Sequence, residues 1–232
     1  MKKTILAVAL LAVVAVTTVI AQESARNFQY DLNREGNGVV IKKYIGSNPN
    51  LVIPGRIEGY PVVEIGYVNH IGTGTFSEGT RVAPSNLLVS LVIPENVRIV
   101  NMEAFRNQKN LTSVTLPSTL RVIGGSAFRE SGLRTVRIPD SVEEIGGVAF
   151  GWNGNLTDVN IPAGIKRIGV SAFHGCSTLS SVTIPASIRS IEWIKSSMLR
   201  DDEFLGNAFK NCALSIATRR RLVELGYNNS EF

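Results

Sequence analysis

The chain has 232 residues, of which 44% are hydrophobic and 19% are charged, and its formal net charge is +5 at pH 7. This composition excludes a disordered chain and is sufficient to fill a sizeable core. The basic residues are spread along the sequence. We therefore expect no nucleic-acid partner, because such proteins concentrate their positive charge in a patch or stripe.

Residues 1–21 have the pattern of a secretory signal peptide. Lys2 and Lys3 form a positively charged start, an apolar run follows, and Ala21 is a small residue of the kind found at cleavage sites. We expect cleavage before Gln22, with no membrane insertion of the mature chain. An uncleaved membrane anchor is the alternative. Both interpretations place the rest of the chain outside the cytoplasm, where it is secreted, at the cell surface or periplasmic.

Residues 22–50 are predicted to form a β-hairpin. The segments FQYDL and VVIKKYIG flank the turn-rich NREGNG. Phe28, Tyr30 and Leu32 are expected to share one face, which would cover the open end of a following repeat region.

Residues 51–213 contain that repeat. After a diverged unit, LVIPGRIEGYPVVEIG, five segments align: LVSLVIPENVRIVNMEAF, LTSVTLPSTLRVIGGSAF, LRTVRIPDSVEEIGGVAF, LTDVNIPAGIKRIGVSAF and LSSVTIPASIRSIEW. Their first leucines are separated by 23, 22, 23 and 23 residues. The repeat phenylalanines keep the same step: Phe105, Phe128, Phe150 and Phe173. Internal repeats of this length are typical of solenoids.

Each unit predicts one coil of chain. The alternation in Leu-x-x-Val-x-Ile-Pro is typical of a short strand with one buried face, and the proline marks its end. A second extended piece follows, and Gly124, Gly146 and Gly169 are expected to take the positive φ of a turn. The phenylalanine would fill the interior. Since one coil buries too little surface to fold alone, neighbouring coils must stack.

The C-terminal part interrupts the repeat and then ends it. Phe173 and Phe209 are 36 residues apart, so an insertion separates them, and Ala208-Phe209 restores the repeat. Residues 214–232 are predicted to form a helical cap that begins after Ser215 and ends at Gly226. Three apolar residues are expected to seal the last coil: Ile216, Leu222 and Leu225.

The IPxxVxxIGxxAF units resemble the leucine-rich repeats of BspA-like bacterial surface antigens, and the segments that flank them resemble treponemal members. This resemblance implies a repeat solenoid, mainly β with short helical turns, an N-terminal β-hairpin cap and a C-terminal helical cap. It also implies an exported or surface-displayed chain that attaches to a protein or glycan ligand on the host or the envelope. Unlike the familiar leucine-rich repeat, the sequence has no Asn/Cys ladder after the strand.

The outward positions of the first strand in each coil are the first candidate docking surface. We expect ligand contacts from eight of them: Ser113, Thr115, Thr135, Arg137, Asp158, Asn160, Ser181 and Thr183. The alternative is that these polar residues suit a solvated strand. The inserted loops at 70–85 and 194–206 are further candidates.

A stripe of basic residues, interrupted by Glu143 and Glu144, consists of Arg98, Arg121, Lys166, Arg167 and Arg189. We expect it to be a solvated polar edge; the alternative is a contact with an acidic partner or a glycan. Cys176 and Cys212 occupy equivalent places in successive coils, where they form either a disulfide or two small buried side chains.

Nothing in the sequence favours an enzyme. His70 and His174 lack companions at metal-ligand spacing, and His174 is expected at the coil surface. Motifs for nucleophilic, phosphate or paired-carboxylate chemistry are missing, so we expect no catalysis, no cofactor and no metal. The sequence therefore favours an exported binding module. The alternative is a structural or assembly component of the cell envelope, and the sequence does not indicate an oligomeric state.

Overall fold

The computed structural model describes residues 22–66, 81–189, 192–193 and 208–227. The predicted signal peptide lies outside the described residues, as do most of the 70–85 loop and the whole 194–206 loop. The parts that are described form fifteen strands, one short 3-10 helix and one α-helix.

The predicted N-terminal hairpin is present. A 3-10 turn, Ala25–Asn27, leads into β1 (Phe28–Leu32), which pairs antiparallel with β2 (Val39–Tyr44). Phe28 is buried and Tyr30 packs against the core. Leu32, however, is 52% exposed, so it does not take part in the predicted cover of the first coil. Leu32 is the last residue of β1, next to the hairpin turn and beyond the cover of the coils.

Each coil contributes two short strands. The first strands are β3 (Asn50–Val52), β6 (Ser90–Val92), β8 (Ser113–Thr115), β10 (Thr135–Val136), β12 (Asp158–Asn160) and β14 (Ser181–Thr183). The second strands are β5 (Tyr60–Ile65), β7 (Ile99–Val100), β9 (Val122–Ile123), β11 (Glu144–Ile145), β13 (Arg167–Ile168) and β15 (Glu192–Trp193).

The continuous sheet is built from the second strands. Along its main path the order is β1-β2-β5-β7-β9-β11-β13-β15, and every pairing on this path from β2 onwards is parallel. The N-terminal hairpin therefore extends this sheet and covers the edge that β5 would otherwise expose. The first strands form two separate parallel sheets, β3-β6-β8 and β10-β12-β14.

The extra length of the diverged first coil is a small hairpin. β4 (Arg56–Ile57) pairs antiparallel with the start of β5. Between them Glu58 has φ 49° and Gly59 has φ 84°. Two consecutive positive φ values are the signature of the type I′ turn, which matches the twist of a tight hairpin.

The repeat glycines have a different role from the predicted one. The residues with positive φ lie two positions after each repeat glycine, and two positions after Asn101, which replaces the glycine in the first regular coil. They are Glu103, Ser126, Val148 and Ser171. A Cβ atom at Gly146 would lie 2.5 Å from the backbone nitrogen of Gly125, and one at Gly169 would lie 2.3 Å from that of Gly147. The prediction of positive φ is therefore wrong. Glycine is required because successive coils touch backbone to backbone at this point.

The repeat phenylalanines form the predicted stack in the interior. All are fully buried, and the ring centroids from Phe105 to Phe173 are 5.6, 5.6 and 5.3 Å apart. Phe209 continues the stack at 5.1 Å from Phe173, which confirms that the chain regains its phase after the insertion. The ring of Tyr227 then closes the stack edge-on, 5.8 Å from Phe209.

The predicted C-terminal helix, α1, spans Ile216–Glu224. The Ser215 hydroxyl accepts a hydrogen bond from the backbone N–H of Thr218 at 3.2 Å, as expected of an N-cap. Leu222 and Leu225 are buried against the last coil. Ile216 is 79% exposed, so its predicted sealing role is wrong. It is the first residue of the helix, and most of its side chain is in contact with solvent.

Candidate functional site

The structure places the eight predicted strand-face residues in two groups. Ser113 and Thr115 lie on the first three-stranded sheet, beside the equivalent residues of β6. Five others lie on the second sheet, where Thr135, Asp158 and Ser181 are in register, and Arg137 directly follows β10. The surface is therefore divided between β8 and β10.

A shortened turn accounts for this division. Four residues separate Phe128 from Leu133, whereas five separate Phe105 from Leu111. A Cβ atom at Gly132, within the short turn, would lie 2.2 Å from the carbonyl oxygen of Lys109. The chain therefore makes a close contact with the preceding coil just before β10 begins. We attribute the absence of a β8–β10 ladder to the resulting shift of β10 relative to β8.

Three of the eight side chains are engaged within the protein. Arg137 forms an ion pair with Asp158. The Asn160 amide bridges the gap beside β10: its oxygen accepts from the N–H of Ile138 at 2.8 Å, and its nitrogen donates to the Ile138 carbonyl at 2.7 Å. Both Asp158 and Asn160 are half-buried. The remaining five are exposed: Ser113, Thr115, Thr135, Ser181 and Thr183.

A side-chain ladder that sequence reasoning missed runs along the turns. It occupies the third position after each repeat phenylalanine, where the coils carry Gln108, Ser131, Asn153, Cys176 and Cys212. Asn153 donates to the Phe128 carbonyl at 2.8 Å, and the Cys176 thiol donates to that of Phe150 at 3.2 Å. The sequence lacks the Asn/Cys ladder that follows the strand in the familiar leucine-rich repeat, but these coils have a comparable ladder in the turn before the first strand. The signal in the sequence was the constant spacing from phenylalanine, although the residue types differ from coil to coil.

We expect Asn153→Ala to lower the free energy of unfolding by about 2 kcal/mol. The Asn153 side chain is fully buried and bonds two carbonyls, those of Phe128 and Phe150, and truncation leaves both without this donor. Denaturant unfolding followed by circular dichroism measures the change. Asn155→Ala is the control, because Asn155 is exposed. Equal effects from the two substitutions would contradict a structural ladder.

The two ladder cysteines are free and buried. Burial raises the pKa of the Cys212 thiol to about 12 and also raises the pKa of Cys176 above its usual range. The Cys212 thiol donates to the Phe173 carbonyl at 3.2 Å, as Cys176 does one coil earlier. Both therefore act as small buried hydrogen-bond donors.

We expect neither thiol to react with a disulfide reagent while the protein is folded at mildly alkaline pH, because the reactive thiolate is suppressed and access is blocked. Two thiols per chain should react after denaturation without reductant, since the chain has two cysteines. Rapid reaction of the folded protein would contradict this burial. A count of zero after denaturation would show the disulfide alternative instead.

His174 departs from its predicted surface position. It is 6% exposed, and its ring lies 5.0 Å from that of Trp152. Burial lowers the pKa of His174, and the nearby positive charge of Lys210 lowers it further. The neutral imidazole is therefore the form that the fold favours. The residue type predicted a solvent-exposed side chain, but His174 occupies a position in the coil that neighbouring residues cover.

The basic stripe is largely neutralised by its own acidic residues. The Glu143 carboxylate forms two ion pairs: Oε2 lies 2.5 Å from Lys166 Nζ, and Oε1 lies 3.2 Å from Arg121 Nη1. Arg167 forms an ion pair with Glu144. The hydrogen bond from Lys166 lowers the pKa of Glu143. These pairs link successive coils, so this edge is a ladder of surface ion pairs.

Among the described residues, no group of His, Cys, Asp or Glu side chains is arranged to hold a metal ion. Within the same residues, no helix has the length and apolar character needed to span a bilayer.

The stacked coils, the parallel ladders and the phenylalanine stack define a β-solenoid of the leucine-rich-repeat class. The BspA type leucine rich repeat region matches residues 69–194 of the chain in 6 copies. The chain therefore belongs to the BspA-type leucine-rich-repeat family, and its fold is consistent with a protein-binding module.

Two solved structures are similar to this chain. The leucine-rich repeat protein of T. pallidum is 24% identical over 90% of this chain and 97% of its own, with a TM-score of 0.58, and this likeness shows the fold. A leucine-rich cell surface protein of Faecalibacterium prausnitzii is 28% identical over 82% of this chain, also with a TM-score of 0.58. The chain covers 52% of that protein, about half its length. No curated protein matches the chain.

Proposed function

We propose that this chain is an exported attachment module that binds a protein partner through its strand face. One observation carries the proposal: exposed hydroxyl side chains project from short parallel strands backed by a continuous buried core. A stacked core holds such side chains in fixed positions, which lowers the entropy lost when a partner binds. Export is supported by the signal-like residues 1–21. The F. prausnitzii relative is described as a cell surface protein, which supports display at the surface.

A charge-insertion variant tests the docking surface. Thr115→Glu combined with Thr183→Glu adds one negative charge to each of the two strand sheets, and both positions are exposed. A matched control, Ala186→Glu with Ala213→Glu, adds the same charge at exposed positions away from the strands. We expect the first variant to lose capture of its partner from a panel of matrix and envelope proteins by at least about tenfold, and the control to retain it. Equal capture by both variants would exclude the strand face.

Protease treatment of intact cells tests the location. Digestion of the chain on intact cells is the expected result for a surface attachment module. Protection until the outer barrier is opened would instead favour a structural or assembly role within the envelope. Sequencing of the mature N-terminus tests the predicted cleavage before Gln22.

A further inference from the structure

A notch lies on the turn side of the solenoid, in the turns that precede β8, β10 and β12. It has a volume of about 510 Å³ and is lined by residues of three successive turns. Its floor is the short turn, where Ser131 and Gly132 are buried, while Lys109 and Asn155 in the flanking turns are exposed. The missing residue in the middle turn thus creates a recess between two full-length turns. Its size lies in the range of small-ligand sites.

The cationic groups of this notch are only partly used within the protein. Arg129 donates from Nε to Glu130 at 2.8 Å, and its guanidinium carbon lies 4.4 Å from the centre of the Trp152 ring. Among the described residues, the two terminal nitrogens of Arg129 have no hydrogen-bond partner, although only 26% of the side chain is exposed. A largely desolvated guanidinium with free terminal donors is suited to a carboxylate, which it binds through two parallel hydrogen bonds.

The other polar groups of the notch indicate which chemical groups the ligand carries beside its carboxylate. Lys109 adds a second cation with no ion pair in the described part of the chain, so cations outnumber the one lining carboxylate, Glu130. The Asn155 amide and Glu130 provide acceptors next to these donors. Such mixed donors and acceptors match the hydroxyl groups of a sugar ring, each of which can both donate and accept a hydrogen bond.

The aromatic residue of the notch does not provide a peptide anchor. The ring of Trp152 is flanked by the Arg129 guanidinium and, at 5.0 Å, by the ring of His174. These contacts cover part of the ring, so less of it is available to the kind of side chain that dominates protein–protein contacts. We propose that the notch around Arg129, Lys109 and Asn155 is a binding site for a carboxylate-bearing sugar, such as an acidic residue of a glycan. This site goes beyond the proposed strand-face function and does not depend on it.

Two sugars that differ only in the acid group test the site directly. Ligand-observed NMR titration of the full chain with glucuronate and glucose should show binding of glucuronate at least about tenfold tighter than that of glucose. Arg129→Gln and Lys109→Gln should each weaken glucuronate binding by at least about threefold. Lys109 is exposed, so this second substitution is compatible with folding. Arg121→Gln removes an exposed cation elsewhere and should leave the affinity unchanged.

Three results would overturn the proposal: no binding of glucuronate, equal binding of the two sugars, or equal loss in the Arg121 control. Acetylated and amidated glutamate should bind more weakly than glucuronate, and equal affinity would show a peptide site instead. The strand-face variant should bind glucuronate normally, so the two proposals fail independently.

Discussion

Phe150→Ala is expected to lower the free energy of unfolding by about 3–5 kcal/mol. The Phe150 ring is fully buried between two others, 5.6 Å from Phe128 and 5.3 Å from Phe173. Its removal leaves a cavity in the middle of the stack and breaks two aromatic contacts at once. The neighbouring coils cannot close the gap, because their backbones are already held in register by hydrogen bonds. Guanidinium unfolding monitored by circular dichroism measures the loss.

Ile216→Ala provides the control for the phenylalanine substitution. It removes an apolar side chain of similar chemistry, but Ile216 is 79% exposed and is not part of the stack. We expect a change within about 0.5 kcal/mol. A loss for Phe150→Ala no larger than that of the control would mean that the ring is not part of a packed interior.

Gly146→Ala is the second substitution with a large expected effect, about 3 kcal/mol of destabilisation. The added methyl group would lie 2.5 Å from the backbone nitrogen of Gly125 in the preceding coil and 2.8 Å from the Gly124 carbonyl carbon. Neither contact is with a flexible side chain, so the two coils must separate. The change should appear as a lower denaturation midpoint and a lower melting temperature.

Gly154→Ala is a matched control, because the same methyl group there would meet only Ser177 Oγ, at 3.9 Å. Gly154 has no positive φ, so alanine should be neutral or stabilising by up to about 1 kcal/mol through its effect on the unfolded chain. If Gly146→Ala were as stable as Gly154→Ala, close contact between coil backbones would not be the reason for the repeat glycine.

The sequence predicted the features that recur with the repeat. The strands, the phenylalanine stack and the return to phase at Phe209 all follow from side chains that occupy equivalent places in each coil. The N-cap at Ser215 was also predictable, because capping depends on a few adjacent residues. These features are local or periodic, and a single sequence contains enough information to find them.

Features that depend on the distance between coils were not predictable. The glycine spacing predicted a turn and not a contact between coils, because the contact of Gly146 with Gly125 exists only after the coils have stacked. The ladder through Asn153 and Cys176 was missed, because its members share a position and a carbonyl partner but not a residue type. The division of the strand face follows from one missing residue, whose effect on register requires the folded coordinates.

Amide hydrogen exchange at the repeat phenylalanines tests the continuous solenoid most directly. The N–H of each donates to an alanine carbonyl in the next coil, at 2.8 Å for Phe105, Phe128 and Phe150 and 2.7 Å for Phe173. If successive coils share one interior, these four amides should be strongly protected, with closely similar free energies of opening. Fast exchange at these amides, or a separate opening free energy for each coil, would contradict a single stacked core behind the binding surfaces.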